Sequence, residues 1–365
     1  MKQTDSITIY QMILIIMTAI GLHNHVIVIT PLIQAAGRDA WLSVLATMFS
    51  ALIWALLLFY IHRGTNQEHI SMWLKKRIGK PVTVMIGGLV YLYFLLLGTI
   101  TLKETMTWTK ITYLQNTPVL VLTLILVSLC IAAAFLGLRT IAIANFFILG
   151  LVILLGFFVA FTNIQYKDYS LLTPFLENGF RPVIKGMVFP ASGFAELILV
   201  VFLQHKFDAK VKYRHIAVTI LLLGFLTIGP LIGGIIEFGP EEAGNQRFTA
   251  FEEWGLVSLG KNIAHLDFFS IYQWLAGAFI RISMMFFVAI EIFKFKKTAS
   301  KIVVITILAA FSVFFTVYPI SDLIYYRVLK NILMPLSLLF CFSMSFILAG
   351  IVFIFNIKEK RGKSA

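Results

Sequence analysis

Two charged residues stand where charge is least expected. Arg281 lies fourteen residues into an apolar run at 267–293, and Glu196 lies fourteen residues into another at 182–203. At 1.5 Å of rise per residue, each sits about 21 Å from the end of its run. A lone cation at the middle of a bilayer costs at least about 2.5–3.5 kcal/mol by insertion scales, so it must face protein or water and have a partner. Glu196 and Arg281 are therefore expected to pair, or to share a water network, beside a binding cavity. A purely structural ion pair between helices is the alternative.

Other polar side chains cluster around the same chemistry. His23 and His25 flank an interruption in the first apolar run. Histidine titrates near neutrality, but two histidines without cysteine or clustered acid make a poor metal set, so no metal is expected. Cavity lining by one of them competes with polar packing. Tyr91 and Tyr93 alternate along a helix and point to different sides, so one of the two is expected to reach the interior. Trp274 is open between an interfacial or packing aromatic and a ligand contact. Glu291, among Lys294, Lys296 and Lys297, reads as a solvated ion-pair partner. There is no nucleotide loop, nucleophile elbow or convergent set of acid, base and nucleophile, so neither an enzyme nor a cofactor is indicated.

The elements that hold these residues are membrane helices. Of 365 residues 59% are hydrophobic and only 13% charged, with a mean hydropathy of +0.92. A soluble domain carries roughly twice that charge density. Crossing about 30 Å of hydrocarbon takes about 20 apolar residues. Such runs fall at 7–33, 41–61, 82–102, 118–136, 141–162, 182–203, 215–236, 267–293, 302–319 and 331–355. Backbone groups in lipid must be satisfied within the segment, which makes these runs helices. Cys130 and Cys341 lie inside such runs, where packing is favoured over a disulfide.

The net charge of +13 could suggest nucleic acid, but its distribution argues for topology. The N-terminal segment with Lys2, alternate connections and the 356–365 tail, with Lys358, Lys360, Arg361 and Lys363, hold 19 of the 30 Lys and Arg. The opposite set holds Glu237, Glu241, Glu242, Glu252 and Glu253. Basic connections face the cytoplasm, so ten spans with both termini inside are self-consistent and no nucleic-acid partner is expected. A cleaved signal peptide is the competing reading of the first run, but its single Lys2 is a weak basic flank. The basic 62–81 connection with Trp73 suits anionic lipid or a cytosolic partner. Phe248, Phe251 and Trp254 recur at helical spacing, so a short amphipathic helix is expected to cap the outer mouth.

Two runs are interrupted, at Gly21-Leu22-His23-Asn24-His25 and at Phe189-Pro190-Ala191-Ser192-Gly193. They are the first and sixth, five spans apart. Interrupted spans in corresponding positions point to an inverted-repeat transporter with its site at the breaks, here with repeats at about 7–162 and 182–355 in one transmembrane domain. Simple kinks are the alternative. Freed N–H groups suit a carboxylate, and freed carbonyls suit an ammonium group. The candidate ligand-binding residues are Gly21, His23, Asn24, Tyr91, Tyr93, Pro190, Ala191, Ser192, Gly193, Glu196, Trp274, Arg281 and Ser283.

Several segments, in order and spacing over nearly the whole chain, resemble the B subunits of bacterial spore germinant receptors (GerAB-type spore germination proteins). They are the Gly-interrupted first span, Lys103-Glu104 to Thr117-Pro118, and Pro174-Phe175 through Gly179-Phe180-Arg181-Pro182. Lys185-Gly186, Phe189-Pro190 to Glu196, Asp267 to Trp274 and Arg281-Ile282-Ser283 continue the match. The first break departs from the wider superfamily, having one Gly followed by His23-Asn24-His25 where two closely spaced small residues are usual. The resemblance implies membership of the amino acid–polyamine–organocation transporters and an all-α, LeuT-like five-plus-five fold with helices 1 and 6 broken. It implies a permease-like subunit in the spore inner membrane that binds a small germinant, often an amino acid. It further implies partnership with an A subunit and a lipoprotein C subunit. In sodium-coupled relatives a cation lies between the first and eighth helices, where the fixed charge of Arg281 could stand instead. An autonomous secondary amino-acid transporter is the alternative reading, and a channel component is a third.

Overall fold

A computed structural model of the chain describes residues 5–260, 265–295 and 297–363, with side chains described to residue 357. Lys2, Lys296 and the side chains of the four tail cations lie outside the described residues. Among the described residues, ten helical segments are long and apolar enough to cross a membrane. No β-sheet occurs among the described residues; one isolated bridge joins Ile7 to Phe207.

The first helix runs as α1 (Ile9–Leu22), a π-helical turn (His23–Ile27) and α2 (Ile29–Ala36). After it come α3 (Ala40–Gly64), a short surface helix α4 (Ile70–Ile78), and α5 (Lys80–Thr112). The tight hairpin at Gly137 joins α6 (Val119–Leu136) to α7 (Leu138–Thr162). Its glycine has φ 109, a conformation open to few other residues. The sixth span is built from α8 (Phe180–Gly186), α9 (Val188–Phe194), a 3-10 turn (Ala195–Ile198) and α10 (Leu199–Leu203). Then follow α11 (Tyr213–Phe238), the short α12 (Pro240–Asn245) and α13 (Thr249–Gly255), α14 (Phe269–Glu291) and α15 (Thr298–Val317). The tenth span comprises α16 (Asp322–Val328), a second π turn (Leu329–Leu333) and α17 (Met334–Lys363).

The spans are not equally enclosed. In the sixth, 83% of the apolar window is buried within the protein and in the eighth 78%, against 22% for α15. The helices that carry Glu196 and Arg281 are therefore the inner ones, with α14 packed on α1, α5, α6 and α7. Phe146, Phe147, Phe225 and Phe314 are exposed on outward-facing helix surfaces, as lipid contact requires.

The expected interruptions of the first and sixth helices take the form of changes in pitch rather than unwound chain. Gly21 and Leu22 remain α-helical; the π turn starts at His23, with Val28 N donating to the His23 carbonyl at 3.0 Å. Pro190 falls in the first turn of α9, where its missing N–H is tolerated, and the tightened turn comes later, at Ala195–Ile198. The third span runs ten residues further at its C-terminal end than expected. Lys103 and Glu104, which read as its end, are buried within α5. Lys103 Nζ donates to the carbonyls of Thr316 and Tyr318.

Two opposite faces can be told apart by contacts. On the terminal face, Asp5 meets Lys206 at 2.8 Å, and the end of α3 meets α17 near Val352 and Asn356. On the lid face, α12 and α13 close over α2 and α11. The capping helix expected there is α13. Phe248 and Trp254 are buried as its pattern requires, but so is Glu253, which the pattern placed outward.

Candidate functional site

Arg281 and Glu196 meet at the centre of the bundle. Nη1 donates to Oε2 and Nη2 to Oε1, both at 2.7 Å, with the two side chains 1% and 0% exposed. Such a two-pronged contact fixes orientation as well as charge. The guanidinium reaches two further helices. Nη1 also donates to the Ala19 carbonyl of α1 at 2.6 Å, and Nε donates to Thr101 Oγ1 of α5 at 2.9 Å. Thr101 passes its own proton to the Leu97 carbonyl. One cation thus joins the first, third, sixth and eighth spans, and its desolvation is met by directed bonds.

Above α1 the π turn places three polar side chains against the sixth and seventh spans. His23 Nε2 and Ser192 Oγ are 3.3 Å apart. Ser192 spends its proton on the Phe189 carbonyl at 2.7 Å, so His23 is the donor of the pair. His25 Nδ1 donates to the Leu226 carbonyl at 2.9 Å. That carbonyl is free because Pro230, four residues on inside α11, has no N–H to bond it. Asn24 is fully buried, and neither its carboxamide oxygen nor its nitrogen has a hydrogen-bond partner. It lies directly over Gly193; a Cβ there would fall on the Asn24 carboxamide. An unpaired buried amide is expensive, about 1–3 kcal/mol per group, so this contact is a place where a polar ligand would gain.

The other sequence-selected residues are distributed more widely. Gly21, Pro190 and Ala191 lie on the two interrupted helices, and Gly21 faces Leu226. Tyr93 is the buried member of its pair, yet its hydroxyl bonds Ser337 Oγ at 2.8 Å and receives the Cys341 thiol at 3.1 Å, towards α17. Tyr91 is half-buried against Phe293. Ser283, on α14, is turned to Cys130 of α6. Both cysteines are free. Trp274 stacks on Trp108 at 4.4 Å beneath Phe248 and donates to Thr105 Oγ1 at 3.3 Å, a packing aromatic near the lid.

Each face carries a charged tie that the sequence did not single out. On the lid side Arg247 donates to Glu104 at 2.8 Å and to Asp322 at 3.0 Å, and lies 4.4 Å from the Phe248 ring centre. Burial works against its charge, but the two carboxylates outweigh it and hold the guanidinium above its ordinary value. Behind it, burial pushes the Glu253 carboxyl well above the usual carboxylate range, and the charge of Glu237 adds to the shift.

On the terminal side Glu291 turns inward instead of meeting Lys294 and Lys297. It accepts from His205 Nε2 at 3.1 Å and from Lys206 Nζ at 3.2 Å. His69 donates to the Glu291 backbone carbonyl at 3.1 Å; burial, with the neighbouring His205, lowers its pKa to about 4. His69, His205 and Glu291 offer donor atoms within 4.8 Å of one another. Lys206 already supplies the cation beside that carboxylate, so the cluster works as an ion-pair tie. Thr101 and Thr105 had a readable signal, four residues apart on one face of an apolar span. Arg247 had none.

A ten-helix membrane protein with an enclosed ion pair beside two interrupted helices has the architecture of a permease. The sequence profile of the family described as "Spore germination protein" matches residues 6–323, and the chain belongs to that family. It is 40% identical over 355 residues to Spore germination protein XB of Bacillus anthracis, covering 97% of this chain and 99% of that one. It is also 29% identical over 210 residues to Spore germination protein GerQB of Bacillus cereus, covering 53% of this chain and 55% of that protein. The protein is thus a germination-related integral membrane protein of the permease type.

Proposed function

We propose that this chain is the ligand-sensing subunit of a germinant receptor and that a small zwitterionic germinant, an amino acid by preference, binds between the first and sixth helices. The observation that carries this reading is Asn24, fully buried with both polar atoms unpaired and held against Gly193 of the facing helix. A carboxylate or ammonium group would supply the missing partner. The Glu196–Arg281 pair lies alongside as the fixed charge that orders α1, α5, the sixth span and α14 around the ligand. The two repeats, about 7–162 and 182–355, would each contribute their first helix. With 19 of 30 cations in the N-terminal segment, alternate connections and the tail, the terminal face is read as cytoplasmic, and membership of a spore germination family supports the spore inner membrane as the location. An A subunit and a lipoprotein C subunit would take the signal on to ion release; the lid face is the natural docking side for the lipoprotein.

The test uses spores in which this chain is replaced by Asn24→Leu, a change that keeps volume and removes the amide. Germination on a nutrient panel should need at least about tenfold more germinant, the worth of one or two buried hydrogen bonds, at unchanged abundance. An unaltered dose response would remove this site from the account. Uptake of labelled amino acid into proteoliposomes by the chain alone would favour an autonomous transporter instead.

A further inference from the structure

On the lid face, apart from the germinant region, two buried glutamates and an asparagine from three elements bring together oxygens that lack partners. We propose that they bind a divalent cation of the calcium class. Glu253 of α13 is 8% exposed, and its Oε1 has no hydrogen-bond partner. Glu237, at the end of α11, has a side chain only 1% exposed, and its Oε1 is 3.9 Å from Lys167 Nζ, beyond hydrogen-bond length. Asn163, in the 3-10 turn Asn163–Tyr166 that follows α7, is fully buried. Its Nδ2 donates to Glu237 Oε2 at 3.0 Å and to the Glu253 backbone carbonyl at 2.8 Å. Pinned there between the two glutamates, it leaves Oδ1 without a partner.

The backbone is shaped for this meeting. A Cβ at Gly233 would fall 2.8 Å from Glu253 Oε2 and 3.1 Å from Oε1, and one at Gly234 would strike Thr249 Cγ2 at 2.6 Å. These two glycines recess the face of α11 so that α13 can lay its carboxyl against it. Glu237 follows one turn later on the same face. Two carboxylates are thus brought together out of water, where like charges repel unless a proton or a cation stands between them.

The donors name the class of ion. All are carboxylate or amide oxygens, which suit a hard cation and not a soft one. Calcium takes a flexible shell that includes both oxygens of a carboxylate, amide oxygens and water, whereas magnesium demands a tighter octahedron. The surrounding field is negative. Glu241, Glu242 and Glu252 are exposed on α12 and α13, while Arg247, the cation of the 237–260 stretch, is spent on Glu104 and Asp322. Lys167 opposes a cation here, but it donates to the Ala160 carbonyl at 2.8 Å and has that place to keep. A bound ion would tie α13 to α11 and to the end of α7. It would hold down the lid, which Thr249 already joins to Thr30 of α2 through a 2.8 Å hydrogen bond.

The test follows thermal unfolding of the full chain in detergent, stripped with EGTA and titrated with calcium, magnesium or sodium chloride at constant ionic strength. Calcium should raise Tm saturably, with half-saturation at or below about 1 mM, as in low-affinity oxygen sites. Magnesium should act more weakly, and sodium should not act. In Glu253→Gln the apparent affinity should fall at least about tenfold, as expected for a lost charged ligand. Lys167→Gln, which removes the opposing charge, should bind calcium more tightly than the parent, a gain that a merely structural cluster would not show. Glu177→Gln, an exposed acid of the neighbouring connection, should bind as the parent does. If Glu253→Gln does not fold, Glu253→Asp keeps the charge with a shorter reach and should bind measurably less tightly. No saturable calcium shift in the parent, or an undiminished one in both Glu253 variants, would overturn the proposal. A shift of the same size with sodium would overturn the divalent class, and one with magnesium would overturn calcium as the preferred ion.

Discussion

At the scale of single residues, the centre of the molecule depends on a charge that lipid would reject. Removing one partner of a buried ion pair leaves the other uncompensated, typically at a loss of about 3–5 kcal/mol. Glu196→Gln and Arg281→Gln should each destabilise the purified protein on that scale. The double variant should lose clearly less than the two added together, because no lone charge is left behind. Chemical unfolding in detergent measures the cycle; additive losses would mean that the two side chains do not depend on each other. This pair was legible in the sequence, since two opposite charges at matching depth in apolar runs have few other solutions. Its remaining bonds were not. The Ala19 carbonyl is a backbone group with no residue signature, and Thr101 is one of several threonines in its span.

At the scale of elements, the interesting departures are in helical pitch. Gly21 and Pro190 marked the correct helices but not the turns that deviate, because both residues can be absorbed by an α-helix at the positions they occupy. The π turn of the tenth span went unread, although Pro335 follows it and lacks the N–H that would otherwise bond back into it. The lid helix was legible from its aromatics, yet Glu253 reads as a solvent-facing acid until the closeness of Gly233 and Gly234 is known. Its raised pKa makes a pH prediction. The unfolded chain ionises Glu253 at an ordinary carboxylate pKa, and the folded chain does so only higher. The stability it contributes is therefore full below the ordinary value and is lost as pH rises towards the folded one. Between pH 5 and 7, Tm should fall more in the parent than in Glu253→Gln. Parallel curves would show that the carboxyl ionises alike in both states.

At the scale of the whole molecule, a tie on each face encloses the central pair: Arg247 with Glu104 and Asp322 at the lid, Lys206 with Asp5 and Glu291 opposite. These ties join residues far apart in the chain, which is why local pattern missed them. Lys103 and Glu104 even truncated the expected span, since unpaired charges normally end one. Ten spans, by contrast, follow from apolar run length and the placement of charge. If the lid tie holds the outer path shut, Arg247→Gln should speed labelling of a cysteine placed at Thr105 by a membrane-impermeant thiol reagent. An unchanged rate would assign the tie to stability alone.

The most direct measure of the central claim is a thermal-shift screen of the purified chain against L-amino acids. The account predicts that at least one raises Tm in the parent and that Asn24→Leu, equally folded, loses the shift. The same shift in both proteins would contradict a site between the first and sixth helices.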